Sequence, residues 1–151
     1  MKKSTFSIDI YASANKVFRT MLERDTYRQW TEAFDPSSDY SGGWNKGDKI
    51  YFLGPAENGK RQGMIAEIHE HIPDKFISIR HYGILDGDEE ITSGPKVDPW
   101  AGAFENYTFE EHDGLTTVTV DVDAPESDAS YFNEAWPRAL EKLKSICEKK
   151  G

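Results

Sequence analysis

The stretch DASYFNEAWPRALEKLKSICEKK, Asp128 to Lys150, decides the fold. Apolar residues recur at Phe132, Ala135, Trp136, Ala139, Leu140, Leu143, Ile146 and Cys147. That three-and-four spacing places one apolar stripe along a 3.6-residue helix. Arg138, Glu141, Lys142, Lys144 and Glu148 fall mostly between them, and Ser127 or Asp128 supplies an N-cap. Such a helix cannot bury its stripe alone, and the chain before it reads mostly as β-strand. A long terminal helix held against a curved sheet is the simplest arrangement. Pro137 complicates it: proline has no N–H, and its ring crowds the carbonyl of Asn133, at about 3 kcal/mol in a helix interior. Trp136 before it is biased away from α geometry. A kink at Pro137 is expected in preference to a restart near Asn133, because Phe132 and Trp136 keep the periodicity. A leaning helix opens space beneath it.

Working back from the helix, Thr116, Val118, Val120 and Val122 form the apolar face of a last strand over 115–123. It is joined to a strand over 104–111 by a tight turn at His112-Asp113-Gly114. Residues 84–101, ILDGDEEITSGPKVDPWA, read as a long surface loop, an uncommon length in a compact domain and often functional or mobile. Strands are expected at 76–83, 62–72 and 49–53, with a turn at 54–59 and a short strand and turn at 40–44. Ahead of these, 26–34 and the stretch capped by Ser13 read as two short helices. Residues 3–11 alternate as a half-buried first strand. The order is strand, two helices, about six strands, long helix. Short hairpins imply an antiparallel sheet, and helices grouped at the ends imply the α+β class.

Length and composition narrow the function. At 151 residues, 37% hydrophobic and 13% aromatic, the chain reads as one globular domain over 1–151. No apolar run approaches the roughly 20 residues of a spanning helix, so no membrane insertion is expected. MKKSTFSIDI lacks the apolar core of a signal peptide and reads as a strand. A single cysteine, Cys147, excludes an internal disulfide and favours a cytoplasmic location. The balance of 18 basic against 27 acidic residues, a net −9, disfavours nucleic acid as a partner.

Several short motifs then resemble one superfamily. They are Asn15-Lys16-Val17-Phe18, Tyr27-Arg28-Gln29-Trp30, Gly42-Gly43-Trp44 and Gly63-Met64-Ile65-Ala66-Glu67-Ile68 before Pro73. Tyr107-Thr108-Phe109 before Asp113-Gly114-Leu115-Thr116, and Trp136 to Leu143, complete the set. Together they resemble the helix-grip fold of the START and polyketide-cyclase-like (SRPBCC) superfamily, in the branch of activator-of-heat-shock-protein-ninety-ATPase homologues. The resemblance covers nearly the whole chain and implies an antiparallel sheet of about 6–7 strands wrapped around the C-terminal helix. It also implies a cavity between sheet and helix for a small hydrophobic molecule, and in some members a chaperone ATPase as partner. None of the motifs is a catalytic signature, and fold alone does not carry function.

The residues that would line such a cavity are Tyr40, Trp44, Tyr51, Phe52, Trp100, Tyr107 and Trp136, with Glu105 and His81 as polar members. If Tyr107 and Phe109 face inward, the period of two places Glu105 beside them. There it could hold a ligand donor, act as an acid/base, or pair with an arginine such as Arg80. Glu105, His81 or Tyr107 would carry an alternative, cyclase- or hydrolase-like activity; no residue is assigned as catalytic. His69 and His71 share a strand face near His81, a conceivable three-histidine site, but no CxxC or HExxH spacing supports a metal and none is assigned. Phosphate-binding glycine loops are absent, Cys147 reads as a small buried hydrophobe, and no cofactor is expected.

Overall fold

The computed structural model describes residues 1–149. Lys2–Ile10 form β1, followed by two short helices, α1 (Ala14–Leu22) and α2 (Arg24–Trp30), the latter ending in a 3-10 turn at Thr31–Ala33. Seven strands follow: β2 (Asp39–Gly42), β3 (Lys49–Glu57), β4 (Lys60–Ile72), β5 (Phe76–Asp86), β6 (Glu89–Ile91), β7 (Ala103–His112) and β8 (Leu115–Ala124). The chain closes with α3, Ala129–Glu148. All pairings are antiparallel, in the order β1-β8-β7-β5-β4-β3-β2, with β6 on the end of β5. This is an α+β helix-grip arrangement, a curved sheet closed over one long helix.

The apolar stripe read from the sequence is the face that α3 buries. Ala135, Trp136, Ala139, Leu140, Leu143 and Cys147 are all buried, against β1, α1 and α2. Ile77 and Ile79 of β5, Tyr107 and Phe109 of β7, and Val118, Val120 and Val122 of β8 supply the facing side of the core. Period-two alternation explains β8 directly: every second residue from Thr116 to Ala124 is buried. Ser13 caps α1 as expected, its hydroxyl accepting from the Lys16 N–H at 3.2 Å. Asp128 precedes α3 but makes no side-chain capping bond.

Two expectations need correction. First, residues 84–101 are not one loop. β5 continues to Asp86 and returns through β6, with Ile84 opposite Ile91 and Asp86 opposite Glu89. The acidic residues that suggested a loop lie in a hairpin largely open to water, where Glu89 and Glu90 are exposed. Only the stretch from Thr92 to Gly102 is irregular, and it is pinned by fully buried Val97. Second, the turn expected at 54–59 shrinks to Asn58-Gly59, because β3 runs on to Glu57 across a bulge between Leu53 and Ala56. α3 is continuous through Pro137 and does not restart there. It ends at Glu148, and Lys150, where the expected stretch ended, lies outside the described residues.

Two turns depend on special backbone geometry. Asp113 and Gly114 both have positive φ, 51° and 80°, which matches the type I′ turn the sequence announced between β7 and β8. Gly42 has φ 120°, and a Cβ there would sit 2.5 Å from the Lys49 carbonyl oxygen, so only glycine lets β2 close onto β3.

Candidate ligand-binding site

Period two aims Glu105 inward with Tyr107 and Phe109 on β7. Pairing with β5 then sets Ile79 opposite Glu105 and His81 opposite Ala103, so His81 projects from the same face one step along. Glu105 joins the two strands chemically. One carboxylate oxygen lies 3.2 Å from His81 Nε2, and the other accepts from the Tyr107 hydroxyl. A carboxylate only accepts, so His81 carries its proton on Nε2 in this contact. Its Nδ1 is buried and has no partner in the protein. Glu105 and His81 keep only 20% and 13% of their side-chain surface exposed, which makes this the polar centre of an otherwise apolar interior.

Burial pushes the Tyr107 hydroxyl well above its ordinary range, and the adjacent Glu105 charge adds to the effect. The Tyr27 hydroxyl is raised in the same order, by burial and then by Glu105. Both phenols therefore stay protonated, and Tyr107 can only donate to Glu105.

Two neighbouring hollows meet at this cluster, and their walls share Met64, His81, Glu105 and Phe132. The inner hollow, about 270 Å³, lies under α3 among Tyr27, Trp30, Phe34, Phe52, Tyr107 and Trp136. Their rings interlock: Phe34 meets Trp136 edge-on at 4.9 Å, and Trp30 lies 5.9 Å from it. Trp136 Nε1 is buried without a protein partner. The outer hollow, about 320 Å³, is bounded by Ile84, Trp100, Ala103 and Val122, and at its edge by Asp128. Trp100 is held there by its indole N–H, which donates to the Lys96 carbonyl at 2.7 Å.

Of the nine residues expected to line a cavity, six do: Phe52, His81, Trp100, Glu105, Tyr107 and Trp136. Tyr40 and Trp44 do not. They stack behind Tyr27, with ring centroids 5.0 Å from Tyr27 to Tyr40 and 5.3 Å from Tyr40 to Trp44, and the Tyr40 hydroxyl donates to the Leu22 carbonyl. Tyr51 is on the wrong face: Ile50 and Phe52 point inward, so Tyr51 points out and donates to Glu90 beside Lys49. Glu105 does not pair with Arg80, which lies over the Tyr82 ring. The histidines are dispersed. His69 rests on Phe104, His71 Nδ1 lies 2.6 Å from the Trp44 carbonyl oxygen, and a bulge in β4 between Ile68 and Glu70 breaks their alternation. Among the described residues no group of three or more His, Cys, Asp or Glu is placed to hold a metal ion.

Residues not anticipated on these walls include Tyr27, Trp30 and Phe34, from the stretch read as a short helix over 26–34, and Phe132. The last had a signal: it sits one helical turn before Trp136 and shares its face.

The sequence matches, over residues 11–148, the family described as Activator of Hsp90 ATPase homolog 1-like protein. The chain belongs to that family. No curated protein matches the sequence. Among solved structures, the solution structure of the Aha1 dimer from Colwellia psychrerythraea is similar at TM-score 0.72 and 23% identity, covering 100% of both chains. A crystal structure from Nitrosomonas europaea is similar at TM-score 0.73 and 13% identity, covering 97% of this chain and 94% of that one. One from Mesorhizobium loti is similar at TM-score 0.71 and 15% identity, covering 99% of each. At such identities these likenesses establish the fold of this Activator of Hsp90 ATPase homolog 1-like chain and leave its chemistry to its own residues.

Proposed function

We propose that the protein binds a small hydrophobic or amphipathic molecule between the sheet and α3. The observation that carries this is the pair of aromatic-walled hollows meeting at one polar cluster, Glu105 with His81 and Tyr107. Concave apolar walls with a few convergent polar groups are the common form of a small-molecule site, and the outer hollow is at the lower end of the roughly 300–1,000 Å³ range of such sites. Binding fits better than catalysis. Glu105 is already held as an acceptor by Tyr107 and His81, which suits it to receive a ligand's donor. A cyclase- or hydrolase-like reaction would instead need Glu105→Gln to abolish turnover while the protein stays folded.

Native mass spectrometry of the protein purified from its own host tests the binding reading. Extra mass that disappears on denaturation is the expected result; a bare chain that also takes up none of the hydrophobic probes described below overturns it. From the family match we further infer a chaperone ATPase as a candidate partner. An unchanged ATPase rate on adding the protein would remove that inference. The single cysteine, buried and free at Cys147, supports the cytoplasm as the compartment.

A further inference from the structure

The walls of the two hollows have a definite charge. Their residues include three acids, Glu105, Asp123 and Asp128, and neither a lysine nor an arginine. His81 is the one basic side chain, and its Nε2–H is already directed at Glu105. A ligand carboxylate or phosphate would therefore enter an apolar space with no free cation to meet it, and a buried charge without a partner is costly. The N-terminus of α3 borders the outer hollow and would by itself favour an anion. Asp128 stands there with a carboxylate unused in capping, opposing that effect.

We infer that the cavity selects an apolar molecule bearing a positively charged amine, with its ammonium against Glu105 and its carbon skeleton among the aromatic rings. The inference rests on the binding reading above and names the ligand class for the same site. Glu105 has the capacity: a carboxylate offers about four acceptor directions, and Tyr107 and His81 occupy two. The rings supply the rest. Trp100, Phe52 and Phe132 are half-buried rings on the walls of the hollows, behind which Trp30, Tyr107 and Trp136 are packed. An organic cation is attracted both to a carboxylate and to the faces of tryptophan and tyrosine, and more strongly where water is excluded. A neutral ligand gains only the apolar contact, and an anion is opposed by Glu105.

Titration calorimetry at pH 7 with three probes of one shape separates these cases: 2-(1-naphthyl)ethylamine, 2-(1-naphthyl)ethanol and 1-naphthaleneacetic acid. The amine is expected to bind at least tenfold more tightly than the acid, and more tightly than the alcohol. Glu105→Gln is expected to bring the amine down to the alcohol's affinity. If the alcohol binds and the acid equals or exceeds the amine, the charge preference is overturned while the cavity reading stands. If none of the three binds, both fall together. Should the variant fail to fold, the ratio of amine to acid in the unmodified protein decides the question alone.

Discussion

At the scale of single residues, Asp39 links acid stability to one contact. Arg24 donates two hydrogen bonds to its carboxylate, at 3.0 and 2.7 Å, and these hold the Asp39 carboxyl down to about 2 against an ordinary 3.8, despite the opposing effect of burial. A carboxyl depressed on folding stabilises the protein above its unfolded pKa, and the benefit fades as pH falls through the folded one. The contribution should be complete above about pH 4 and lost by pH 2. Because the Arg24 side chain is 62% exposed, it should amount to roughly 1–2 kcal/mol and not more. Urea unfolding of Asp39→Asn against the unmodified protein at pH 7 and pH 2 checks this: a gap at pH 7 should close at pH 2, and a constant gap would refute it. Individual side chains also mark a limit of sequence reading. Tyr51 and Phe52 are equally attractive aromatics side by side, yet a strand sends them to opposite faces. The core residue Ile50 fixed the parity in favour of Phe52. Glu105 was readable by the same rule from Tyr107. Its partner was not, because no local pattern says that β5 pairs with β7 in the register that sets Ile79 opposite Glu105 and His81 opposite Ala103.

At the scale of elements, α3 was readable in its stripe, and the periodicity of Phe132 and Trp136 spoke against a restart at Pro137, where the helix runs on. Pro137 is exposed and its ring points away from the core, so packing of Trp136, Leu140 and Leu143 keeps the helix whole despite the missing bond to Asn133. Restoring that bond should help. Pro137→Ala is expected to stabilise the protein by about 1–3 kcal/mol, read as a rise in thermal midpoint. A lower midpoint would mean that the proline shapes the helix to fit its neighbours. The β5–β6 hairpin was not readable: its acidic residues look like a loop in sequence, and only the ladder from Ile84 to Ile91 shows that the outer side of a sheet accepts them.

At the scale of the whole molecule, the rings between sheet and helix are packed, with Trp30, Tyr107 and Trp136 all buried, and the open space lies beside them at Met64, Glu105 and Phe132. Ala103, buried on β7 at the outer hollow, is a small residue in that wall. Ala103→Leu should occupy part of the hollow and keep or raise the thermal midpoint, by about 0.5–2 kcal/mol in stability. It should also weaken 2-(1-naphthyl)ethanol at least tenfold. A variant that is less stable and binds as before would place the ligand elsewhere. The architecture was readable because helix stripe, strand alternation and turn residues agree with one another. The cavity's exact walls were not, since they depend on how α2, α3 and the strands β3, β4, β5, β7 and β8 meet.

The pairing of β1 has a consequence for synthesis. Lys2 lies opposite Ala124 and Ile10 opposite Thr116, and β1 has no other strand neighbour. On a ribosome, β3, β4 and β5 can pair as they emerge, each beside the one before it. The first strand has to wait, its Phe6, Ile8 and Ile10 face uncovered, until β8 and then α3 have been made. Until β8 is made, the nascent chain carries β1 unpaired, and that strand is among the last to find its place.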